Sequence, residues 1–268
     1  MGTIRYADLG EIFLAYELTG PEGAPIVCLN HCFCADHRFW DPHMPAFEGF
    51  QVLRYDTRGH GQSSAPKGPY NLSMLAGDTA RLFDHLEIQQ VHFFGVSMGG
   101  MIGQTLALEH SDRVTSLALI NTTPEYSAEQ KVMWRERAGI VLSEGIGAVQ
   151  EALMERWFTD EAIASQQPGY LYMNDIVARF RPESFDAVTA AMCELDTTSR
   201  LNLISAPTLV VAAPDDPGVP PRLSETLARE IPKAELHWLT PARHLATLEH
   251  VETFNDLARE FLLASASS

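Results

Sequence analysis

Gly95-Val96-Ser97-Met98-Gly99 sets a serine between two glycines at the G-x-S-x-G spacing of a nucleophile elbow. An apolar stretch, VHFFGV over 91–96, runs straight into Ser97, and a helix-like stretch, MGGMIGQTLALEH, leaves it. So sharp a strand-to-helix turn needs glycines where a Cβ would clash. It stands the hydroxyl at a helix N-terminus, whose dipole favours developing negative charge. A serine hydroxyl is a weak nucleophile until a base takes its proton. Ten histidines are available, and position selects among them. His244 stands in LTPARHLATLEH, after the last candidate strand and before the last candidate helix, where a loop can present the base. His250 competes but falls where that helix begins. The acid should follow the strand TLVVAA, where Asp215 and Asp216 are adjacent. Asp216 is preferred, with Asp215 as an exposed loop carboxylate. The acid would hold the imidazole in one tautomer and stabilise the imidazolium. Two convergent backbone N–H groups should receive an oxyanion. The candidates are Met98, next after the serine, and Phe33, in the loop His31-Cys32-Phe33-Cys34 that follows IVCLN.

These residues need elements to position them. Residues 3–18 alternate like a hairpin broken at Gly10, and short apolar runs at 25–29 and 51–55 read as buried strands. Residues 71–86 put Leu72, Leu75, Ala76, Ala80, Phe83 and Leu86 on one helical face, with Ser73 or Asn71 as the N-cap. VTSLALI at 114–120 is a further strand. The rhythm then breaks: 127–203 is mostly helical and holds VMWRERAGIVL, AVQEALMERWF and FDAVTAAMCEL. Alternation resumes with TLVVAA, a helix near 222–230, AELHWL and a helix over 251–263, before a tail, ASASS, expected to fray. Short apolar strands alternating with helices predict an α/β fold: a mostly parallel sheet covered on both faces. The expected organisation is a core over 1–122 and 204–268 with a helical insertion over 123–203.

The chain has 268 residues, 46% hydrophobic and 20% charged, as an ordinary globular protein does. Its net charge is 19 − 35 = −16, which repels nucleic acid and anionic membrane surfaces. No secretory signal and no apolar run of bilayer length is visible, so a cytoplasmic protein is expected. Cys28, Cys32 and Cys34 crowd one segment and Cys193 stands apart, unlike a secreted disulfide framework; reduced thiols are expected.

Other clusters invite sharper readings. His31, Cys32, Cys34 and His37 could suggest zinc, but no second ligand pair stands nearby, and packed or pocket-lining cysteines are preferred. No metal and no cofactor are expected. Asp56, Arg58, His60 and Ser63 read as a hydrogen-bonded structural turn. Trp134 and Trp157 are open between helical core and substrate contact. Arg135, Arg137 and Arg179 are solvated by default. Trp134 and Arg137, three apart, would share a helical face and could set an aromatic wall beside a cation.

RYDTRGHGQSSAPKGPY, FFGVSMGGMIG, RWFTDE and RHLATLEH resemble the 3-oxoadipate enol-lactonases of the α/β-hydrolase superfamily over about 14–261. The resemblance implies the α/β-hydrolase fold with a helical lid, and an acyl-serine mechanism on a small ester or enol-lactone bearing a carboxylate. It places the nucleophile on Ser97, the base on His244 and the acid on Asp216, which closes the turn Ala213-Pro214-Asp215-Asp216. Cys34, Trp134, Arg137 and Trp157 are candidate substrate contacts. The lactonase loop resembles N-S-L-G where this chain has His31-Cys32-Phe33-Cys34, and the lid drifts from the lactonase pattern over 162–200. The expected partner is a small-molecule substrate, with neither nucleic acid nor membrane; a homo-oligomer is left open. Hydrolysis of a C–C bond, perhydrolysis, and a hydrolase-like receptor remain alternatives on the same triad. Dehalogenases and epoxide hydrolases use aspartate where this chain has Ser97.

Overall fold

In the computed structural model, which describes residues 2–265, the opening alternation pairs as expected. Strands β1 (Arg5–Asp8) and β2 (Phe13–Thr19) run antiparallel, and the turn between them uses Gly10 at a φ of 87°. There follow β3 (Ile26–Asn30), β4 (Gln51–Tyr55), β5 (Val91–Val96), β6 (Val114–Ile120), β7 (Thr208–Ala212) and β8 (Ala234–Trp238). They form one eight-stranded sheet in the order β1-β2-β4-β3-β5-β6-β7-β8. Only the β1·β2 and β2·β4 pairings are antiparallel. Every residue of β5 and β7 is buried. Alternate side chains point to opposite faces, so both faces of these strands are covered, which is why they read as unbroken apolar runs.

The helices are α1 (Leu72–His85), α2 (Met98–Glu109), α3 (Ala128–Glu144), α4 (Gly147–Trp157), α5 (Asp160–Ala164), α6 (Pro168–Val177), α7 (Pro182–Cys193), α8 (Pro221–Glu230), α9 (Ala246–Glu249) and α10 (Val251–Ser265). Helices α3 to α7 all lie between β6 and β7. Helix α3 starts at a capping box: Gln130 N donates to Ser127 Oγ at 3.2 Å, and Ser127 N donates to Gln130 Oε1 at 3.0 Å. Its main packing is against α7, with further contacts to α4.

The structure chooses between some expected alternatives and departs from the sequence reading elsewhere. The N-cap of α1 is Asn71, whose Oδ1 accepts from Met74 N at 2.7 Å; Ser73 lies inside the helix and donates to Glu109. Residues His37–Phe47 form a 3-10 helix capped by Asp36. Pro42 and Pro45 lack the N–H that an α-helix would need there, and the sequence reading assigned no helix to this segment. Helix α9 is a single turn ahead of the expected final helix, and His250 follows it, its Nε2 2.8 Å from Pro241 O. Within the expected frayed tail, Ala264 and Ser265 are helical, and the remaining three residues lie outside the described ones. No helix among the described residues is long and apolar enough to cross a membrane.

Candidate active site

Ser97 stands between β5 and α2 at φ 54°, ψ −112°, in the left-handed region that strains any non-glycine residue. The surrounding backbone enforces this conformation. Ser97 N donates to Ile120 O at 2.8 Å, and Thr122 Oγ1 donates to Ser97 O at 2.8 Å. A Cβ at Gly95 would collide with the Gly99 backbone, and one at Gly99 with the carbonyls of Asn30 and His31. The two glycines therefore let α2 and the loop after β3 close against the serine.

The loop after β8 brings His244 Nε2 to 2.8 Å from Ser97 Oγ. The loop after β7 brings Asp216 Oδ2 to 2.7 Å from His244 Nδ1. Asp216 is buried and its other oxygen, Oδ1, accepts from Gly218 N at 2.7 Å and Val219 N at 3.1 Å. Those bonds leave Oδ2 to face the imidazole. Nδ1 must carry the proton to bond a carboxylate, so Nε2 is free to accept from the serine hydroxyl. Asp215 is exposed. His250 has no place in this chain of contacts.

The loop after β3 is pinned at both ends by buried histidines. His31 Nε2 accepts from Thr57 N at 3.0 Å, while Nδ1 faces Cys32 O at 2.8 Å. His60 Nε2 accepts from Cys34 N at 3.3 Å. Burial lowers the pKa of both rings, which keeps the accepting nitrogens unprotonated. Phe33 is 2% exposed and packs against Phe185, Phe180 and Trp134, with ring centroids 4.7, 5.6 and 5.8 Å away. Neither Phe33 N–H nor Met98 N–H has a hydrogen-bond partner among the described residues.

A sequence model of the alpha/beta hydrolase fold matches residues 25–251. This chain belongs to the α/β-hydrolase family. It is 30% identical over 246 residues to 3-oxoadipate enol-lactonase 2 of Acinetobacter baylyi, covering 91% of each chain. Its fold superposes on the enol-lactonase from Burkholderia xenovorans with a TM-score of 0.92 at 32% identity, covering 97% of this chain and 100% of that one. A thermophilic esterase from Thermogutta terrifontis gives a TM-score of 0.90 at 30% identity, covering 98% and 99%. Within its family this hydrolase is therefore enol-lactonase-like.

A tight cavity opens on Ser97 and His244 of this α/β-hydrolase, and its wall includes Phe33, Trp134 and Trp157. Two other candidate contacts lie elsewhere. Cys34 is fully buried and outside that wall, at φ 62°, where the lactonase loop pattern has glycine. Arg137 lies outside it too: its guanidinium stacks over Trp134, 4.8 Å from the ring centroid. The shared helical face is present, with the guanidinium stacked on a tryptophan that itself lines the cavity. Arg156, Tyr126 and Gln130 line the cavity and were not singled out from sequence. Gln130 carries a sequence signal as the last residue of the capping-box spacing Ser127-x-x-Gln130, whereas no spacing marks Arg156 or Tyr126.

A metal fits the His31 and Cys32 segment poorly. Both His31 nitrogens are engaged by the backbone, and burial raises the pKa of Cys32 and Cys34 against the thiolate a metal needs. Among the described residues, Asp36, His37 and Asp56 do bring ligating atoms within 4.8 Å of one another. Their atoms serve the turn instead. Asp56 Oδ1 accepts from His37 N and faces His37 Nδ1, each at 2.8 Å, its Oδ2 accepts from Gln62 N, and Asp36 pairs with Arg38.

Proposed function

We propose that this hydrolase cleaves a small carboxylic ester or enol-lactone through an acyl-serine intermediate, with Ser97, His244 and Asp216 as its catalytic triad. The observation that carries this reading is the continuous contact from Ser97 Oγ through His244 to Asp216, at 2.8 and 2.7 Å. The serine Oγ attacks the substrate carbonyl while His244 Nε2 takes its proton. The carbonyl oxygen becomes an oxyanion, for which the free N–H groups of Met98 and Phe33 are the donors. The intermediate collapses as the C–O bond breaks, and the imidazolium returns the proton to the leaving oxygen. In an enol-lactone that oxygen belongs to the same molecule and leaves as an enol. Water, deprotonated by His244, then attacks the acyl carbon and releases Ser97 and a carboxylic acid.

Helices α3 to α7 would act as the lid over this site, since Gln130, Trp134, Arg156 and Trp157 all come from that segment. A carboxylate on the substrate is the companion proposal. The chain is acidic overall, so a carboxylate entering a partly dry cavity needs a local cation. Arg156 lines the cavity, and Arg137 Nη1 is buried with no hydrogen-bond partner among the described residues. A guanidinium suits a carboxylate because its fork can donate twice.

A fluorophosphonate should label Ser97 and no other residue. Ser97→Ala and His244→Ala should each lower kcat on short esters and enol-lactones by about 10⁴ or more, with the fold intact by circular dichroism. Labelling at another residue, or turnover that survives Ser97→Ala, would refute the assignment.

A further inference from the structure

Two sequence stretches have chemistry that the triad does not use: RWFTDE at the end of α4, and RHLATLEH around His244. The fold brings them together. Leu245 N, directly after the histidine, donates to Trp157 O at 3.0 Å. Arg243, directly before it, donates through Nη1 to Glu155 O at 2.7 Å, to Phe158 O at 2.8 Å and to Asp160 Oδ1 at 3.0 Å. Glu249 completes the bridge. Its Oε1 accepts from Arg243 N at 3.0 Å; its Oε2 accepts from Thr159 N at 3.0 Å and from Thr159 Oγ1.

The same turn holds the acid. Arg156 Nη2 donates to Pro217 O at 2.7 Å, one residue past Asp216. From α3, Gln130 Nε2 donates to Gly218 O at 3.1 Å while its Oε1 serves the capping box. Residues 155–159 thus bond to the chain on both sides of the base and just beyond the acid.

We propose that Glu249 is a positioning residue for His244: by bridging Arg243 to Thr159 it fastens the base loop to the lid turn 155–159, which also holds the Asp216 loop. Acid and base are then in register only while this turn is docked. The proposal rests on the reading of Ser97, His244 and Asp216 as a triad. Glu249 lies outside the wall of the cavity at Ser97, so its loss acts through the histidine and not through substrate contact.

Glu249→Gln in the full chain keeps the side chain's shape but turns one accepting oxygen into an NH2 that faces a donor. On a short neutral ester it should lower kcat at least about tenfold and leave KM within about twofold, because misalignment of the base acts on the chemical step. Fluorophosphonate labelling of Ser97 should slow in parallel. The downfield proton resonance of the His244 Nδ1–H should weaken while circular dichroism is unchanged. Thr159→Ala removes only the hydroxyl bond and should move the same readouts in the same direction; it decides the matter if Glu249→Gln fails to fold. Wild-type kcat and labelling rates, even with a lowered melting temperature, would mean that Glu249 only supports the fold, and the proposal falls. Turnover surviving Ser97→Ala would overturn the triad reading itself, whereas an inert Ser97→Ala beside a fully active Glu249→Gln overturns this proposal alone.

Discussion

Asp215 and Asp216 are chemically identical neighbours, separated by burial and by hydrogen-bond partners. Asp216 is 3% exposed, with Oδ1 taken by two backbone N–H groups and Oδ2 on His244. Asp215 is exposed. Asp216→Asn can place an amide NH2 where the imidazole must donate, which favours the wrong tautomer. It should cut kcat by about 10⁴. Asp215→Asn should stay within about twofold of wild type, since an exposed carboxylate is solvated in either form. Steady-state kinetics on one ester tests both, and the reverse ranking would move the acid to Asp215. The strand–turn–helix at Ser97 and the meeting of Ser97, His244 and Asp216 were legible from spacing and chain order. Arg156 was not, because nothing in a single helical arginine says which cavity it faces.

At the scale of elements, α3 carries Trp134 and Arg137 three residues apart on one face, as helical spacing requires. Geometry then adds what spacing could not: the guanidinium lies over the indole, and Trp134 takes the place in the cavity wall. Burial lowers the pKa of Arg137, and the nearby Arg156 lowers it further. A cation in that setting gains from an anionic partner. Arg137→Ala should therefore raise KM for carboxylate-bearing substrates about tenfold, or about 1.4 kcal/mol, and leave neutral esters nearly unchanged. Equal losses on both classes would mean that Arg137 only supports the helix. The loop after β3 teaches a related lesson. The spacing of His31, Cys32, Cys34 and His37 could suggest zinc, with packed cysteines preferred; in the fold His31 accepts from Thr57 N and His60 accepts from Cys34 N, and these bonds hold the loop in place.

For the whole molecule, several histidines are buried as neutral rings. Burial lowers the pKa of His31, His43, His60 and His92, and His43 falls to about 4. The unfolded chain protonates near 6.5 while the folded rings stay neutral. Unfolding then takes up protons, so stability falls as pH drops below 6.5 and keeps falling toward 4. His43 alone should cost on the order of 2 kcal/mol by pH 5. His37 opposes this: burial would lower its pKa, but its hydrogen bond to Asp56 and the nearby carboxylates raise it. Its contribution is present at low pH and lost as pH rises through its raised value. Four lowered rings outweigh one raised ring, so the urea midpoint should drop between pH 7 and pH 5, and less so in His43→Gln. A midpoint independent of pH over that range would contradict this balance. The sequence by itself determined the strand–turn–helix at Ser97, the order of the sheet-forming runs and the helical break between β6 and β7. Those follow from local rules: side-chain periodicity, glycine where a Cβ cannot fit, and short apolar runs that only a covered parallel sheet can bury. Only the tertiary structure decided which histidines are buried, which arginine reaches the cavity, and that residues 155–158 bond to both the Asp216 and the His244 loops. Each of those depends on contacts between residues far apart in the chain, such as Thr159 and Glu249, whose meeting no local pattern encodes.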